Sequence, residues 1–414
     1  MLFKDFPLRL LNEIKSKIES YDFLVTHRKT PTAFSRMRIL EFKDVMYTVM
    51  NLIKGSISIE LFKYFDRINK DVDVTDRAFN DARQKISHKA FEELFFDGVR
   101  GAMEIEDTRL FCGYRPLGID GTTVLLEYSE PLKKRFGKTT PSPGDVYARV
   151  STCTDVLNGF VVDALICPYS TGERKLAKQH IKNVSETSAL FLMDRGYWST
   201  ELIARIVDNC QKFVMRLAAN SIPAVVESEQ NNGHITICHH RKNYVCRYYK
   251  FQLKSGEMEY LLTNLPEDEV SDLQLPDLYW LRWGIETKYS EIKEKLQIEN
   301  LSGKSPLFVL QDFYATLWVI NMICFMVLAA ETEIPDRKRK YAYKPNKNFS
   351  IGVLRHSFIS MVVDDDPDKR GKKLQRLITR IRKRIIPIRP DRPSRPRTTK
   401  RTKQRKVMSK KSPL

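Results

Sequence analysis

Three acidic side chains occupy positions from which they could bind metal ions together. Asp120 lies within an apolar run, Asp194 ends another, and Glu286 lies in a stretch rich in aromatic and basic residues. Carboxylate oxygens are the ligands that Mg²⁺ prefers, and paired ions of this kind activate a water or a hydroxyl for attack on a phosphodiester. Each aspartate alone could instead be a turn former, since a glycine follows it closely. The joint pattern predicts metal-dependent cutting and joining of DNA.

The residues around Glu286 have a spacing that groups them on one face of a predicted helix. Tyr279, Arg282, Glu286 and Lys293 follow the pattern Tyr-x2-Arg-x3-Glu-x6-Lys. At about 100° per residue these side chains and Trp283 share a narrow face, with a separate apolar stripe for burial, and a rise of about 1.5 Å per residue spreads the face over about 21 Å. Such a face could follow a phosphate backbone. An amphipathic surface helix with an i,i+4 ion pair is the alternative.

Charge is distributed unevenly along the chain. The 414 residues, 42% of them hydrophobic, are enough for two or three domains with their own cores. The net charge of +19 comes from residues 369–414, which carry 20 Lys and Arg against Asp391 alone. Basic arms bind polyanions or an anionic membrane leaflet, and the scarcity of apolar residues after Ile388 favours nucleic acid. A merely solubilising tail is the alternative.

Cysteine usage and the apolar segments indicate a cellular location. The chain has seven cysteines, an odd number, and no signal peptide, which predicts a reduced, cytosolic compartment. Residues 313–330 form an apolar stretch that is marginally short for a membrane span, so we predict a buried helix and no membrane. One group of residues resembles a zinc cluster: Cys238, His239, His240 and Cys246. Adjacent histidines on a strand point to opposite faces, so no zinc site is expected.

Residues 1–110 have helical periodicity and predict a helical N-terminal domain. The third helix is capped by Thr75 or Asp76, and its predicted buried residues are Phe79, Ala82 and Ile86. Side chains of the types that read base edges project elsewhere from this helix: Asn80, Arg83 and Gln84. A fourth helix begins after Ser87. The domain is predicted to recognise DNA ends. A plain helical bundle for packing or dimerisation is the alternative.

From about residue 111 the apolar period changes to that of strands. Strands are predicted at 117–126, 148–156, 160–167, 189–193 and 213–217, with helices at 171–183 and from about 200 to 210. Asn158-Gly159 is a strong hairpin signal between the second and third strands. The order β, β, β, α, β, α, β is that of the ribonuclease H-like fold. In that fold the first and fourth strands are neighbours, which would bring Asp120 and Asp194 together.

The rest of the chain completes an α/β protein with four regions. Residues 111–217 and 273–335 form the predicted catalytic domain, interrupted by a β-rich insertion at 218–272 with alternating patterns at 224–227, 234–238, 244–251 and 259–265. Residues 336–414 form a basic C-terminal region with a helix through about 374–386. Its tail, from about residue 388, is rich in proline and charge, so disorder is expected without DNA.

Taken together, these motifs resemble the prokaryotic insertion-sequence transposases of the DDE class that carry the Tyr-Arg-Glu-Lys signature, often called insertion-sequence family four. The resemblance covers most of the chain. Besides the signature at 279–293 and the β-rich insertion, it rests on Asp120-Gly121-Thr122, Asp194-Arg195-Gly196-Tyr197 and Ala82-Arg83-Gln84-Lys85.

The resemblance implies cut-and-paste transposition of DNA. A hydrolytic nick frees a 3′ end, its hydroxyl attacks the opposite strand to form a hairpin, a second water opens the hairpin, and the ends join target DNA. Asp120, Asp194 and Glu286 would be catalytic and would hold two Mg²⁺ ions, with Mn²⁺ tolerated. The implied partners are double-stranded DNA, as terminal inverted repeats and target, and a second copy of the chain in a homodimeric synaptic complex. The location would be the cytoplasm, in association with the nucleoid.

The resemblance also implies DNA contacts around the signature. Tyr279, Arg282 and Lys293 would contact phosphates near the transposon end, and Trp283 would stack on a flipped base. A second wedge is expected from the insertion, whose aromatic candidates are Tyr244, Tyr248, Tyr249 and Phe251.

Two other functions remain open. A catalytically silent, transposase-derived repressor could bind DNA ends, but the intact carboxylates argue against it. A structure-specific nuclease of the same fold would cut without joining. The signature has no evident purpose in either.

Overall fold

The computed structural model describes residues 1–51, 56–137, 145–253, 255–285, 301–334 and 340–388. The chain divides into two compact units, the first comprising Met1–Asp107 with Glu294–Leu414 and the second comprising Thr108–Lys293. The predicted disordered tail, residues 389–414, lies outside the described residues.

The α-helices of the described residues are α1 (Phe6–Glu19), α2 (Tyr21–His27), α3 (Phe42–Met50), α4 (Ile57–Arg67), α5 (Asp76–Arg83), α6 (Lys89–Met103), α7 (Glu130–Phe136), α8 (Glu173–Asn183), α9 (Thr200–Asp208), α10 (Pro223–Val226), α11 (Leu275–Trp280), α12 (Pro306–Thr332), α13 (Lys347–Val362) and α14 (Pro367–Lys383). The strands are β1 (Arg115–Leu126), β2 (Val146–Asp155), β3 (Val161–Pro168), β4 (Ala189–Met193), β5 (Lys212–Leu217), β6 (Asn232–His239), β7 (Lys242–Gln252), β8 (Met258–Thr263), β9 (Tyr343–Pro345) and β10 (Ile385–Pro387).

A mixed sheet of eight strands, in the order β3-β2-β1-β4-β5-β8-β7-β6, organises the described part of the second unit. β1, β4 and β5 run parallel, and the other neighbours pair antiparallel. The strands from the predicted insertion continue this same sheet, because β8 pairs with β5. The predicted α/β class is therefore confirmed, as a mixed α/β fold with a large sheet.

The centre of the sheet is its most apolar part. All five residues of β4 are buried, as expected of a parallel strand covered on both faces. Leu190 and Leu192 of β4 belong to a core cluster with Val214 of β5 and Leu261 of β8, and Leu278 of α11 packs into the same cluster. This cluster fixes α11, which carries the start of the signature, against the sheet.

Most predicted strands of the second unit are confirmed within two residues at each end. The pattern at 224–227 is an exception, because these residues lie in or beside the short helix α10. Pro223 occupies the first turn of α10, where the missing N–H and the fixed φ of proline suit a helix and disfavour a central strand.

In the first unit, α12 is a long apolar helix packed by α1, α3, α6, α13 and α14. Its 27 residues are long and apolar enough to cross a membrane, and its most apolar window is entirely buried inside the protein. The prediction of a buried helix at 313–330 is confirmed. By its contacts, α12 groups with the N-terminal helices, whereas the predicted boundaries assign it to the catalytic domain.

Two features of the C-terminal helices differ from the prediction. α13 was not predicted. α14 begins earlier than expected because the side chain of Asp366 caps it, accepting hydrogen bonds from the main-chain N–H groups of Asp368 and Lys369.

The helix that was predicted as the third is α5 in the structure. It forms with Thr75 as its cap, and Phe79, Ala82 and Ile86 are buried as predicted. The prediction that Arg83 projects outward is wrong, since its exposed fraction is 0%. Nε of Arg83 donates to Gln311 at 2.7 Å and Nη2 donates to Asp312 at 2.6 Å. Both partners lie in α12, and the Asp312 carboxylate neutralises the guanidinium inside the first unit. Arg83 is therefore a buried structural arginine.

Candidate active site

Asp120 lies in β1, and Asp194 directly follows the parallel neighbour β4, at the same level of the sheet. In the register of β1 and β4, Gly118 is opposite Leu192. Asp120 comes two residues after Gly118, and Asp194 comes two residues after Leu192. Both aspartates are partly exposed. The predicted adjacency of the first and fourth strands is confirmed.

The main chain and the carboxylate of Asp120 are both held by hydrogen bonds. Its Oδ1 accepts from the main-chain N–H of Gly121 at 2.8 Å. Its carbonyl oxygen accepts from Oγ of Ser151, on the neighbouring strand β2, at 3.1 Å. Because the Gly121 N–H engages one oxygen of the carboxylate, Asp120 has a defined orientation before any ligand binds.

Asp194 is held from the signature segment. Oη of Tyr279 donates to Oδ1 of Asp194 at 3.3 Å, and Nε of Arg282 donates to Oη of Tyr279 at 3.2 Å. The guanidinium of Arg282 lies 5.6 Å from the centre of the Tyr279 ring and 5.1 Å from that of Trp283. Hydrogen bonds from Arg282 to Tyr279 and from Tyr279 to Asp194 thus link the signature to the second aspartate.

Burial raises the pKa of Tyr279, with the Arg282 guanidinium opposing the shift and the Asp194 carboxylate adding to it. The phenol therefore remains protonated at neutral pH and can donate to Asp194.

The structure buries more of the signature than the predicted helical wheel allows. The helix begins at Leu275, not at Tyr279, and continues as a 3-10 turn over Leu281–Trp283. Tyr279 is 4% exposed and Arg282 is 6% exposed, because α11 packs on β4, β5 and β8. The predicted groove-facing stripe is therefore reduced, among the described signature residues, to Trp283, which is 44% exposed.

Ile285 anchors the signature segment to β1. A β-carbon built on Gly118 would lie 2.0 Å from Cδ1 of Ile285, so the isoleucine occupies the space above the glycine. Ile285 immediately precedes Glu286 in the chain, and Gly118 precedes Asp120 by two residues. Glu286 and Lys293 themselves lie outside the described residues.

Two charged residues beside Asp194 were missed by the sequence analysis. Nε of Arg216 in β5 lies 3.1 Å from Oε1 of Glu259 in β8, and the glutamate is buried. Burial raises the pKa of Glu259, Arg216 lowers it, and the Asp194 carboxylate raises it further. A charged residue within each of these apolar strands was the available signal.

An exposed aromatic residue was also missed. Trp280 is 66% exposed, and the centre of its ring lies 5.8 Å from that of Trp283. The four proposed wedge residues, by contrast, are buried or half-buried: Tyr244, Tyr248, Tyr249 and Phe251.

Within the described ranges, no three His, Cys, Asp or Glu side chains are close enough to hold a metal ion together. The third predicted ligand, Glu286, lies outside those ranges. The two aspartates offer only oxygen donors at adjacent strands, which fits a hard divalent cation such as Mg²⁺.

Comparison with known proteins identifies the family. Residues 112–322, just over half of the chain, match a family model described as a transposase DDE domain. The chain belongs to this family of DDE transposases. The match contains both aspartates and all of the signature, and the predicted resemblance is confirmed at the level of insertion-sequence DDE transposases.

Two relatives of this DDE transposase come from Escherichia coli. The transposase of insertion sequence element IS421 is 42% identical over 63 residues, which are 15% of this chain and 17% of the relative. Transposase InsG of insertion sequence element IS4, from strain K12, is 23% identical over 273 residues, which are 62% of each chain. The chain therefore matches less than two thirds of the length of either relative.

One solved structure is similar over most of the chain. It is the cryo-EM structure of a piggyBac transposase synaptic complex with hairpin DNA, matched over 91% of this chain and 85% of that chain. The TM-score is 0.46 and the identity 14%, too low for a conclusion about fold or function.

Proposed function

We propose that this DDE transposase catalyses cut-and-paste transposition of an insertion sequence, by phosphodiester hydrolysis, hairpin formation and strand transfer. The observation that carries the proposal is the in-register placement of Asp120 and Asp194 on parallel neighbouring strands. The contact of Ile285 with Gly118 supports Glu286 as the third acidic residue of the same site.

The sheet supports a ribonuclease H-like core. Its first five strands have the order β3-β2-β1-β4-β5, in which β2 alone is antiparallel to both of its neighbours. The proposed core therefore comprises these five strands with α8 and α9, and β6 to β8 form the β-rich insertion that extends the sheet.

Asp120, Asp194 and Glu286 would hold two Mg²⁺ ions, and Mn²⁺ would also be accepted. Bound there, the ions would supply Lewis-acid stabilisation of charge at the phosphodiester. The protein's own part is positional. The Tyr279 hydroxyl orients the Asp194 carboxylate, and Nε of Arg282 donates a hydrogen bond to that hydroxyl.

The signature would also contact the transposon end. Lys293 would bind a phosphate beside the carboxylates, whereas Tyr279 and Arg282 are buried and would act by holding Asp194. Trp283 is the exposed ring next to Arg282, and rings in this position stack on an unpaired base.

The basic C-terminal region would bind the DNA backbone. The outer face of α14 carries exposed cations that line one shallow groove: Lys372, Arg376, Arg380 and Lys383. The opposite face is buried through Leu374, Leu377 and Ile381, so the helix is held firmly while it presents this charge. At about 1.5 Å per residue the four cations extend over about 16 Å, which suits successive phosphates of one strand.

The proposed partners follow from this reaction. They are double-stranded DNA carrying the terminal inverted repeats, target DNA, and a second copy of the chain in a synaptic homodimer. The proposed location is the cytoplasm, at the nucleoid.

The test uses labelled DNA that carries the element's own end, incubated with the full chain, with Mg²⁺ or with a chelator, and resolved on denaturing gels. A 3′ nick, a hairpin and joined products should form with wild type and Mg²⁺. Glu286→Gln should bind the DNA and leave it intact. Glu267→Gln, which changes an exposed glutamate, should behave as wild type.

Two results would replace the proposal. Intact DNA under every condition, with binding preserved, would identify an end-binding repressor. Cutting without joined products would identify a nuclease.

A further inference from the structure

A buried chain of hydrogen bonds in the second unit ends on the main chain of Asp120. Nδ1 of His180, in α8, lies 2.7 Å from Oδ2 of Asp163 in β3. Nε2 of the same ring lies 2.9 Å from Oγ of Ser151 in β2. Oγ of Ser151 in turn lies 3.1 Å from the carbonyl oxygen of Asp120. Three side chains from three elements therefore connect α8 to the strand that carries the first proposed metal ligand.

The serine, histidine and aspartate have the order of a hydrolytic triad, but they are not arranged for that chemistry. Ser151, Asp163 and His180 are all at most 1% exposed, so no substrate carbonyl can reach the serine oxygen. The hydroxyl also faces a main-chain carbonyl. These three residues therefore bind the protein's own main chain and not a substrate.

The position of the hydrogens follows from the partners. A serine hydroxyl has one hydrogen, and the Asp120 carbonyl can only accept, so Ser151 donates to Asp120. Nδ1 of His180 lies against the Asp163 carboxylate, and Nε2 lies against the hydroxyl of Ser151. His180 thus joins Asp163 to the serine that holds the carbonyl of Asp120.

Asp163 is fixed by further bonds. Its Oδ1 accepts from the main-chain N–H of Ala164 at 3.0 Å, and its Oδ2 accepts from Nδ2 of Asn183 at 2.9 Å. Buried polar networks with every partner satisfied hold one geometry firmly, because any shift leaves a buried group without its partner. This network therefore stiffens β1 at the point where Asp120 projects.

We propose that Ser151, His180 and Asp163 are positioning residues that hold the main chain of Asp120 and thereby set its carboxylate for a divalent cation. This rests on the proposed function, in which Asp120 is a metal ligand. Groups that orient a metal ligand without touching the metal commonly change metal affinity about 10–100-fold when they are removed.

The test compares Ser151→Ala with Thr154→Val in the full chain. Both changes remove one buried hydroxyl from β2, but Oγ1 of Thr154 has no hydrogen-bond partner among the described residues. Mn²⁺ binding is measured without DNA by electron paramagnetic resonance, and the Mg²⁺ midpoint of end cleavage is measured in parallel. Ser151→Ala should weaken Mn²⁺ binding about tenfold and raise the Mg²⁺ midpoint similarly. Thr154→Val should leave both unchanged.

Two further variants protect the test against misfolding. Ser151→Thr keeps the hydroxyl and should bind Mn²⁺ as wild type does. Asp163→Asn acts at the far end of the chain and should weaken Mn²⁺ binding in the same direction as Ser151→Ala. Wild-type Mn²⁺ affinity in a folded Ser151→Ala or Asp163→Asn would overturn the proposal.

The failure of the metal site itself would look different. If wild type and Asp120→Asn bound Mn²⁺ equally, the proposed function would be at fault. If Mn²⁺ binding depended on Asp120 but not on Ser151, the proposed function would stand and only the proposed role of the positioning network would be wrong.

Discussion

Ile285 lies so close to Gly118 that a β-carbon on the glycine would be 2.0 Å from Cδ1 and 2.5 Å from Cγ1 of the isoleucine. Real β-carbons do not approach other atoms so closely, so glycine is required at this point of β1. The contact joins the strand of Asp120 to the residue before Glu286. The contact therefore links the strand of the first proposed ligand to the chain position of the third.

Gly118→Ala should therefore impair catalysis more than folding. The added methyl must displace Ile285, and overpacking of this kind costs about 1–3 kcal/mol of unfolding free energy. A displacement of about 1 Å at a reacting group can cost about 100-fold in rate, so end cleavage should fall by about that factor. Single-turnover cleavage and thermal melting measure the two effects.

The double variant Gly118→Ala/Ile285→Ala supplies the control. Removing the isoleucine side chain makes room for the methyl, so the double variant should be less impaired than the sum of the single changes predicts. Gly352→Ala, at a glycine whose β-carbon would meet open space, should leave cleavage unchanged. Strict additivity would show that the Gly118 and Ile285 effects are independent.

Tyr279→Phe should separate orientation of Asp194 from DNA binding. The change removes the hydroxyl between Arg282 and Asp194 and leaves Nε of Arg282 without that acceptor. A buried donor that loses its partner costs about 1–3 kcal/mol, and loss of an orienting bond to a metal ligand costs about 10–100-fold in activity. Cleavage at saturating DNA should fall accordingly.

Tyr260→Phe is the matched control, since the described residues give the hydroxyl of this half-buried tyrosine in β8 no hydrogen-bond partner. It should cleave as wild type does. A Tyr279→Phe variant that cleaved normally at saturating DNA but bound ends weakly would assign the phenol to phosphate contact alone.

The sequence predicted the elements that local patterns specify. β4 is a continuous apolar run of five residues, and Asn158-Gly159 marks the turn between β2 and β3. With the other predicted strands and helices, these signals gave the element order of the ribonuclease H-like fold, and the adjacency of Asp120 and Asp194 was predicted from that order.

The burial of polar residues was not predictable in this way. Helical periodicity puts Arg83 on the polar side of α5, yet its partners lie more than 200 positions away in α12. Tyr279 is buried for a similar reason, because it packs in a cluster with residues of β4, β5 and β8 that are distant from it in the sequence. Contacts between side chains that are so far apart in the sequence produce no periodic pattern in it.

Removing the cations on the outer face of α14 should weaken DNA binding and reduce its salt dependence. The test variant replaces Lys372, Arg376, Arg380 and Lys383 with glutamine. Each lost phosphate contact on duplex DNA should lower the slope of log K against log salt by about 0.9. Fluorescence anisotropy from low to moderate salt measures the slope, and Mg²⁺-dependent cleavage at low salt should persist.

The paired cations of the same helix provide the comparison. Lys373 lies 2.7 Å from Asp364 and Arg382 lies 3.0 Å from Glu333, so Lys373→Gln/Arg382→Gln should change the slope less per charge. Removal of residues 388–414 should also flatten the slope. If the truncated chain and the four-residue variant both kept the wild-type slope, the basic region would not be the DNA contact.

Arg83→Met should lower stability and leave end recognition to other residues. Besides its bonds to Gln311 and Asp312, the guanidinium donates to the carbonyl of Phe308 at 3.2 Å and to Oγ of Ser302. Removing one partner of a buried ion pair costs about 3–5 kcal/mol, since the other charge remains buried. Thermal or denaturant unfolding of the full chain measures the loss.

Gln84→Ala is the control at the neighbouring position, directly after α5, because Gln84 is exposed and its replacement should change the unfolding free energy by less than about 0.5 kcal/mol. The comparison also decides between the two roles of α5. An Arg83→Met variant with wild-type stability and lost discrimination between the element's end and random DNA would restore Arg83 as a base-reading residue. A destabilised variant with preserved discrimination would place any base reading in the exposed residues of the first unit.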